Sequence, residues 1–332
     1  MTETLAVTGR AAQAARPEGH RRSTPATRRR ALVALAFCSP MLLGLAIFFV
    51  YPLIASVYYS FTSYNLVSPP VFIGLRNYIY LFTQDPLVGT AAFNTLWFVV
   101  FLVPIRILTA MGVAGLLARA RTASGFWRTV FYLPSLVPPV AAVVAFVFLF
   151  NPGVGPVNQI LARFGIQGPL WFNDPAWSKP SLVILGVWVM GDIMIIFLAA
   201  LLDVPTEQYE AASLDGANGL QKLRYVTFPN MVPVLLFALI TGIIAALQYF
   251  TEASVASTVA SGKASVGEGA GATMGYPDNS LLTYTQWLYV RGFNNFQLGY
   301  ASALAVVLFL VAGLFLVILL RRVNAFNPEG AR

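Results

Sequence analysis

A chain of 332 residues that is 58% hydrophobic and only 10% charged departs from soluble globular domains, in which about a quarter of residues carry charge. Its formal charge of +8 does not read as a nucleic-acid face, because seven arginines crowd into residues 1–30 and the rest of the chain is sparsely charged. A single cysteine, Cys38, and a single histidine, His20, leave no material for a disulfide framework, a Cys/His metal cluster or nucleophile–histidine catalysis. No enzymatic activity, metal or chain-bound cofactor is expected.

In chain order, the basic stretch 1–30 reads as a disordered cytoplasmic tail. Six apolar blocks follow, at about 31–61, 91–118, 126–150, 181–202, 232–250 and 298–320. Each is long enough to cross a bilayer as a helix, the only open structure that satisfies its own backbone in lipid. The expected fold is therefore an all-α membrane protein with six transmembrane helices over 31–322 and a short tail, 323–332. Lys and Arg set the orientation. With the N-terminus inside, fifteen fall on inner segments and five on outer loops, so both termini are expected in the cytoplasm and the chain is expected to be a multi-pass protein of a bacterial inner (plasma) membrane. The outer loops, about 62–90, 151–180 and 252–297, are rich in aromatic, Pro and Gly residues. The third contains SGKAS and GEGAG, both too lax for a phosphate loop.

The stretch EQYEAASLDGANGLQKLRYVTFP, 207–229, is a charged run between two apolar blocks. It reads as a helix that Thr206 can cap, with Glu207 and Glu210 near its N-terminus. Gly216 and Gly219 interrupt it. A second short helix runs to Phe228, and Pro229 and Pro233 start the next span. From composition alone, such a segment is equally an interfacial connector or an element that transmits force from a soluble partner.

The spacing of Glu210-Ala211-Ala212, Gly216, Val226 and Phe228-Pro229 resembles the EAA signature of permease subunits of ABC importers. Tyr209–Ala217, YEAASLDGA, resembles the carbohydrate-importer version, with Val226 and Phe228 in place of the usual Ile and Leu. Residues 48–82, 126–140 and 293–310 are similar to the maltose and glycerol-phosphate type of sugar permease. The resemblance implies a type I importer fold and a second, related permease as a heterodimeric partner. It also implies two ATPase subunits that use ATP and Mg, and an extracytoplasmic solute-binding protein. It assigns Glu207, Tyr209, Glu210, Ala211, Ala212, Asp215 and Gly216 to coupling with the ATPase.

Intramembrane charges are costly and mark pathways or ion pairs. Arg106 and Asp192 lie midway along the second and fourth blocks, at similar depth, so they suit either a structural pair or a substrate contact. The resemblance places Trp188, Gly191 and Asp192 at the sugar, together with Gln248, Tyr249, Phe250 and Glu252 at the outer half of the fifth span. Amides and carboxylates suit sugar hydroxyls, and aromatic faces suit sugar rings. Pro134, Pro138 and Pro139 are positioned to bend the third span. The reading is an ATP-driven importer subunit for an oligosaccharide, disaccharide or polyol. The alternative is an ion-coupled secondary transporter using Arg106 and Asp192. A membrane enzyme is a distant third.

Overall fold

The computed structural model describes residues 25–120, 124–263 and 273–326. Of the expected tails, residues 1–24 and 327–332 lie outside the described residues, as does all of GEGAG; residues 25–30, expected to be disordered, and 323–326 are helical. The described residues divide into two compact units, one ending at Ala55 and the other beginning at Ser56. In the first, the helix Pro25–Leu45 passes into a π-helical turn, Ala46–Val50. Its large apolar side chains, Phe37, Met41, Phe48 and Phe49 among them, are exposed around the helix. A helix that is apolar all round and unburied is one made for lipid.

The second unit is built around the 34-residue helix Pro86–Arg119. Asp85 caps it by accepting the Leu87 amide at 3.1 Å, and Pro86 supplies a first position that needs no amide donor. At 1.5 Å per residue the helix is about 50 Å long. Its buried residues recur every three or four positions and meet different partners along its length. Near the start, Val88 joins Leu81, Tyr284 and Leu304. Further on, Phe98 and Leu102 pack with Val143, Phe172, Leu182 and Ala256. Beyond them, Ile107, Ala110, Ala114 and Leu117 pack with Met194, Phe197, Met231 and Ala238. The alanines let neighbouring helices approach closely where no water-driven term favours association.

Among the described residues, four helices are long and apolar enough to cross a membrane, or up to six if each of two bent pairs is one span. The third expected block is the more strongly bent. Ser124–Leu136 and Pro139–Leu149 meet at 97°, where Pro138 and Pro139 remove two amide donors and hold the preceding residues extended. The fourth block, Pro175–Trp188 with Gly191–Leu202, bends by 47°. There the backbone of Gly191 lies so near Phe131 and Tyr132 that a Cβ would collide with their main chain.

Three further boundaries differ from the sequence expectations. Pro205, not Thr206, is the N-cap of Thr206–Leu214, which has no side-chain cap. The fifth long helix begins at Gly219 and runs to Leu247 through a π-helical turn, Leu223–Thr227. Pro229 and Pro233 therefore fall within it and do not start it. The segment after Phe250 enters as a helix, Thr251–Ala260, whose buried Ala253 and Ala256 pack into the cluster around Pro139–Leu149. Its small, weakly apolar residues read as loop by hydropathy, yet they suit close packing.

Candidate functional site

The break between Trp188 and Gly191 creates the central geometry. It places Asp192 in the first turn of Gly191–Leu202, where a carboxylate complements the helix dipole. One terminal nitrogen of Arg106, Nη2, donates to both Asp192 oxygens at 2.8 and 3.0 Å. It also donates to the Val189 carbonyl at the break, at 3.3 Å. Arg106 Nε is buried and has no partner among the described residues. The side chains are 26% and 54% exposed, respectively, so the pair opens into a cavity.

That cavity has two lobes. One, of about 210 Å³, is bounded by Ser135, Val137 and Pro139 from the 97° bend, by Gly186 and by Asp192. The other, of about 310 Å³, is bounded by Ile193, Gly242, Gln248, Phe250 and Thr251. Leu102, Arg106, Tyr249 and Glu252 line both. Gln248 is the C-cap of the helix ending at Leu247, and Glu252 sits in the first turn of Thr251–Ala260. The Tyr249 ring packs on Phe98 at 4.8 Å, and the Tyr249 carbonyl accepts from Thr285 Oγ1 at 3.2 Å. The arrangement offers one guanidinium, two carboxylates, an amide and two aromatic rings around a space suited to a polar, hydroxylated solute.

Two of the expected pathway residues do other things. Trp188 lines neither lobe. Its ring packs on Phe146, 5.2 Å between centroids, on the flank of the break. Gly191 is buried and serves the close approach described above, with no side chain to offer a solute.

The expected coupling segment lies at the Arg119 end of the long helix. Thr206–Leu214 ends in a Schellman arrangement: the Ala217 amide donates to the Ala212 carbonyl at 2.9 Å, and the Gly216 amide to Ser213 at 3.1 Å. This requires Gly216 at φ +75, a conformation that costs any L side chain. Asn218 and Gln221 then form a capping box for the next helix. Three side-chain bonds tie the two helices together: Tyr209 with Thr227 at 2.9 Å, Lys222 to Ser213 at 2.6 Å and Asn230 to Gln208 at 2.8 Å. Glu207, Glu210, Ala211, Asp215 and Gly216 are exposed and Ala212 is half-buried. Leu214 is 90% exposed. The helix is fastened on one side and open on the other.

The opposite end holds a cluster that the sequence reading missed. Asp85, buried, accepts from Tyr300 Oη at 2.7 Å and from Trp287 Nε1 and Arg291 Nη2, each at 3.0 Å. The Arg291 guanidinium lies within 4.6–5.6 Å of the Trp287, Tyr300 and Tyr80 ring centroids. Burial pushes the Asp85 carboxyl up, but the Tyr300, Trp287 and Leu87 hydrogen bonds and the Arg291 charge outweigh it and leave its pKa lowered. The Asp85-Pro86 pair announces a helix start in the sequence. Nothing local announces its partner 206 residues away.

Residues 106–326 match the family described as binding-protein-dependent transport system inner membrane component. The chain belongs to this family. It is a permease subunit of an ABC importer, an inner-membrane transport component and not an enzyme. Among its relatives, the permease is 37% identical over 297 residues to "Probable ABC transporter permease protein YesP" of Bacillus subtilis (strain 168), covering 89% of this chain and 91% of that one. It is 30% identical over 300 residues to the arabinooligosaccharides transport system permease protein AraP of the same organism, covering 89% of each. Its fold is similar to that of a chain in the crystal structure of a bacterial ABC transporter involved in import of the acidic polysaccharide alginate. There the TM-score is 0.68 at 22% identity, over 91% of this chain and 97% of that one. The family match takes in Arg106, Asp192, Tyr249, Glu252 and the Thr206–Leu214 helix, and the comparisons give no support to an ion-coupled secondary transporter.

Proposed function

We propose that this permease forms half of the membrane pathway for a carbohydrate delivered by an extracytoplasmic binding protein. In this reading residues 31–322 cross the membrane six times, with both tails in the cytoplasm, and a second, related permease supplies the other half. The carbohydrate contacts Arg106, Asp192, Gln248, Tyr249 and Glu252. The exposed face of Thr206–Leu214 docks on one of two ATPase subunits, which use ATP and Mg.

The observation that carries the proposal is the convergence of Arg106, Asp192, Tyr249 and Glu252, from three separate segments, on one cavity partway along Pro86–Arg119. The fastened helix at the Arg119 end gives that cavity a mechanical neighbour. Relatives named for carbohydrate transport support the solute class. Reconstitution of the chain with its sister permease, ATPase and binding protein in proteoliposomes tests it. Uptake of labelled lactose, maltotriose or arabinotriose should require ATP and the binding protein. Glu210→Lys and Gly216→Pro should lower uptake more than tenfold while the chain stays in the membrane and loses ATPase subunits on purification. Normal uptake by both variants would remove the coupling role.

A further inference from the structure

A second polar cavity, of about 520 Å³, lies at the Pro86 end of the long helix, beside Tyr80 and Tyr300 of the Asp85 cluster. Arg106 is twenty residues along that helix, about 30 Å away, so this space is separate from the central lobes. Its volume is in the usual range of small-ligand sites, about 300–1,000 Å³. The walls come from the strand Thr62–Ser63 and the connection that follows it, from the helix Arg76–Thr83 and from the turn before Leu298–Phe326 with the start of that helix. Among the described residues, no ionised side chain lines it. The nearby Arg291 is engaged by Asp85 and three aromatic rings.

Three amides in the wall are each held at one end only. Asn65 Oδ1 accepts the Val67 and Ser68 amides at 3.2 and 2.9 Å. Asn77 Nδ2 donates to the Ser60 and Thr62 carbonyls, each at 2.9 Å. Gln297 Oε1 accepts from Arg291 Nη1 at 3.3 Å. The fold thus fixes each side chain, and the Asn65 Nδ2, Asn77 Oδ1 and Gln297 Nε2 atoms have no partner among the described residues. Asn295 adds an exposed amide. Phe296 is 57% exposed at φ +53, a left-handed conformation that non-glycine residues keep only where the surroundings enforce it. Two amide bonds enforce it here, Asn295 to Val290 and Gln297 to Arg291, both at 2.9 Å. On the far side, Tyr64 stacks on Tyr59, 4.7 Å between centroids, and its carbonyl accepts the Gly299 amide at 3.1 Å.

Fixed amide donors and acceptors, a phenol and exposed ring faces without charge are the groups that recognise neutral hydroxylated rings. A carboxylated sugar would surrender hydration there and meet no cation. We infer that this cavity is a receiving site for a neutral oligosaccharide at the mouth of the pathway, distinct from the central cavity. The inference rests on the carbohydrate reading above.

The test uses the whole reconstituted transporter and the double variant Asn65→Ala with Gln297→Ala, both exposed positions. Lactose, maltotriose and arabinotriose are the neutral probes, and trigalacturonate is the acidic control. For each neutral probe that the wild type carries, the half-saturating concentration should rise about 3–10-fold, the loss of one or two hydrogen bonds. Maximal rate should hold, and so should the affinity of sugar-free binding protein for the complex. An unchanged half-saturating concentration overturns the inference. Weakened docking of sugar-free binding protein also overturns it, by making the cavity a protein-docking surface. Trigalacturonate uptake with the same sensitivity overturns the neutral-ligand assignment. A wild type that carries none of the four probes refutes the carbohydrate reading itself.

Discussion

The permease contains two Arg–Asp pairs on the same long helix, and they differ in almost everything but chemistry. Arg291–Asp85 is closed: the carboxylate is 0% exposed, the guanidinium 13%, and Asp85 also holds a phenol, an indole and a backbone amide. Arg106–Asp192 is open: one nitrogen serves both oxygens, and the carboxylate is more than half exposed to a cavity. A closed pair with a fully buried carboxylate that accepts from four donors is a fastening, which joins the start of Pro86–Arg119 to the turn before Leu298–Phe326. An open pair with bonds left over is poorly spent as a fastening and well placed to exchange partners with a solute.

Breaking the closed pair should have the largest effect. Asp85→Leu strands a buried guanidinium and should destabilise the permease by about 3–5 kcal/mol, read as a lowered thermal midpoint and poor assembly in detergent-free discs. A midpoint within one degree of wild type would make the pair dispensable. The matching change at the open pair, Asp192→Asn, should move stability by about 1 kcal/mol or less, because exposure discounts the interaction. It should nonetheless reduce uptake and alter preference among lactose, maltotriose and arabinotriose. Equal destabilisation by the two substitutions would erase the distinction. Acid gives the smallest effect. The lowered Asp85 pKa means its stabilisation is complete above the unfolded value, about 4, and is lost as pH falls through the folded value below it. The wild type should therefore lose more stability between about pH 4 and 2 than Asp85→Asn does, and parallel acid-unfolding curves would contradict this.

Hydropathy located the apolar blocks, because the bilayer demands length and apolarity and little else. It did not register the 97° bend, since a broken span and a straight one have the same composition. The Pro138-Pro139 pair carried that signal. It also treated Thr251–Ala260 as loop, because Ala, Ser and Thr contribute little hydropathy although their small size is what packs against Pro139–Leu149. Depth matching put Arg106 and Asp192 at one level without a structure, since both lie midway along spans that run in the same direction, and the structure pairs them. Asp85 and Arg291 sit in connections, where no periodicity fixes depth, so their pairing was illegible. Trp188 and Gly191 show the limit of carrying roles by position: both flank the break, but one packs on the buried Phe146 and the other brings two backbones together.

The most direct measurement is sugar- and binding-protein-stimulated ATPase activity of the complete transporter in nanodiscs carrying Arg106→Leu with Asp192→Leu. Removing both charges leaves neither stranded, so the complex should assemble and keep its unstimulated activity. If the open pair serves the solute, stimulation should fall at least fivefold, equivalent to about 1 kcal/mol of lost coupling. Stimulation at the wild-type level would show that the pair only holds two helices together and would take Arg106 and Asp192 off the pathway.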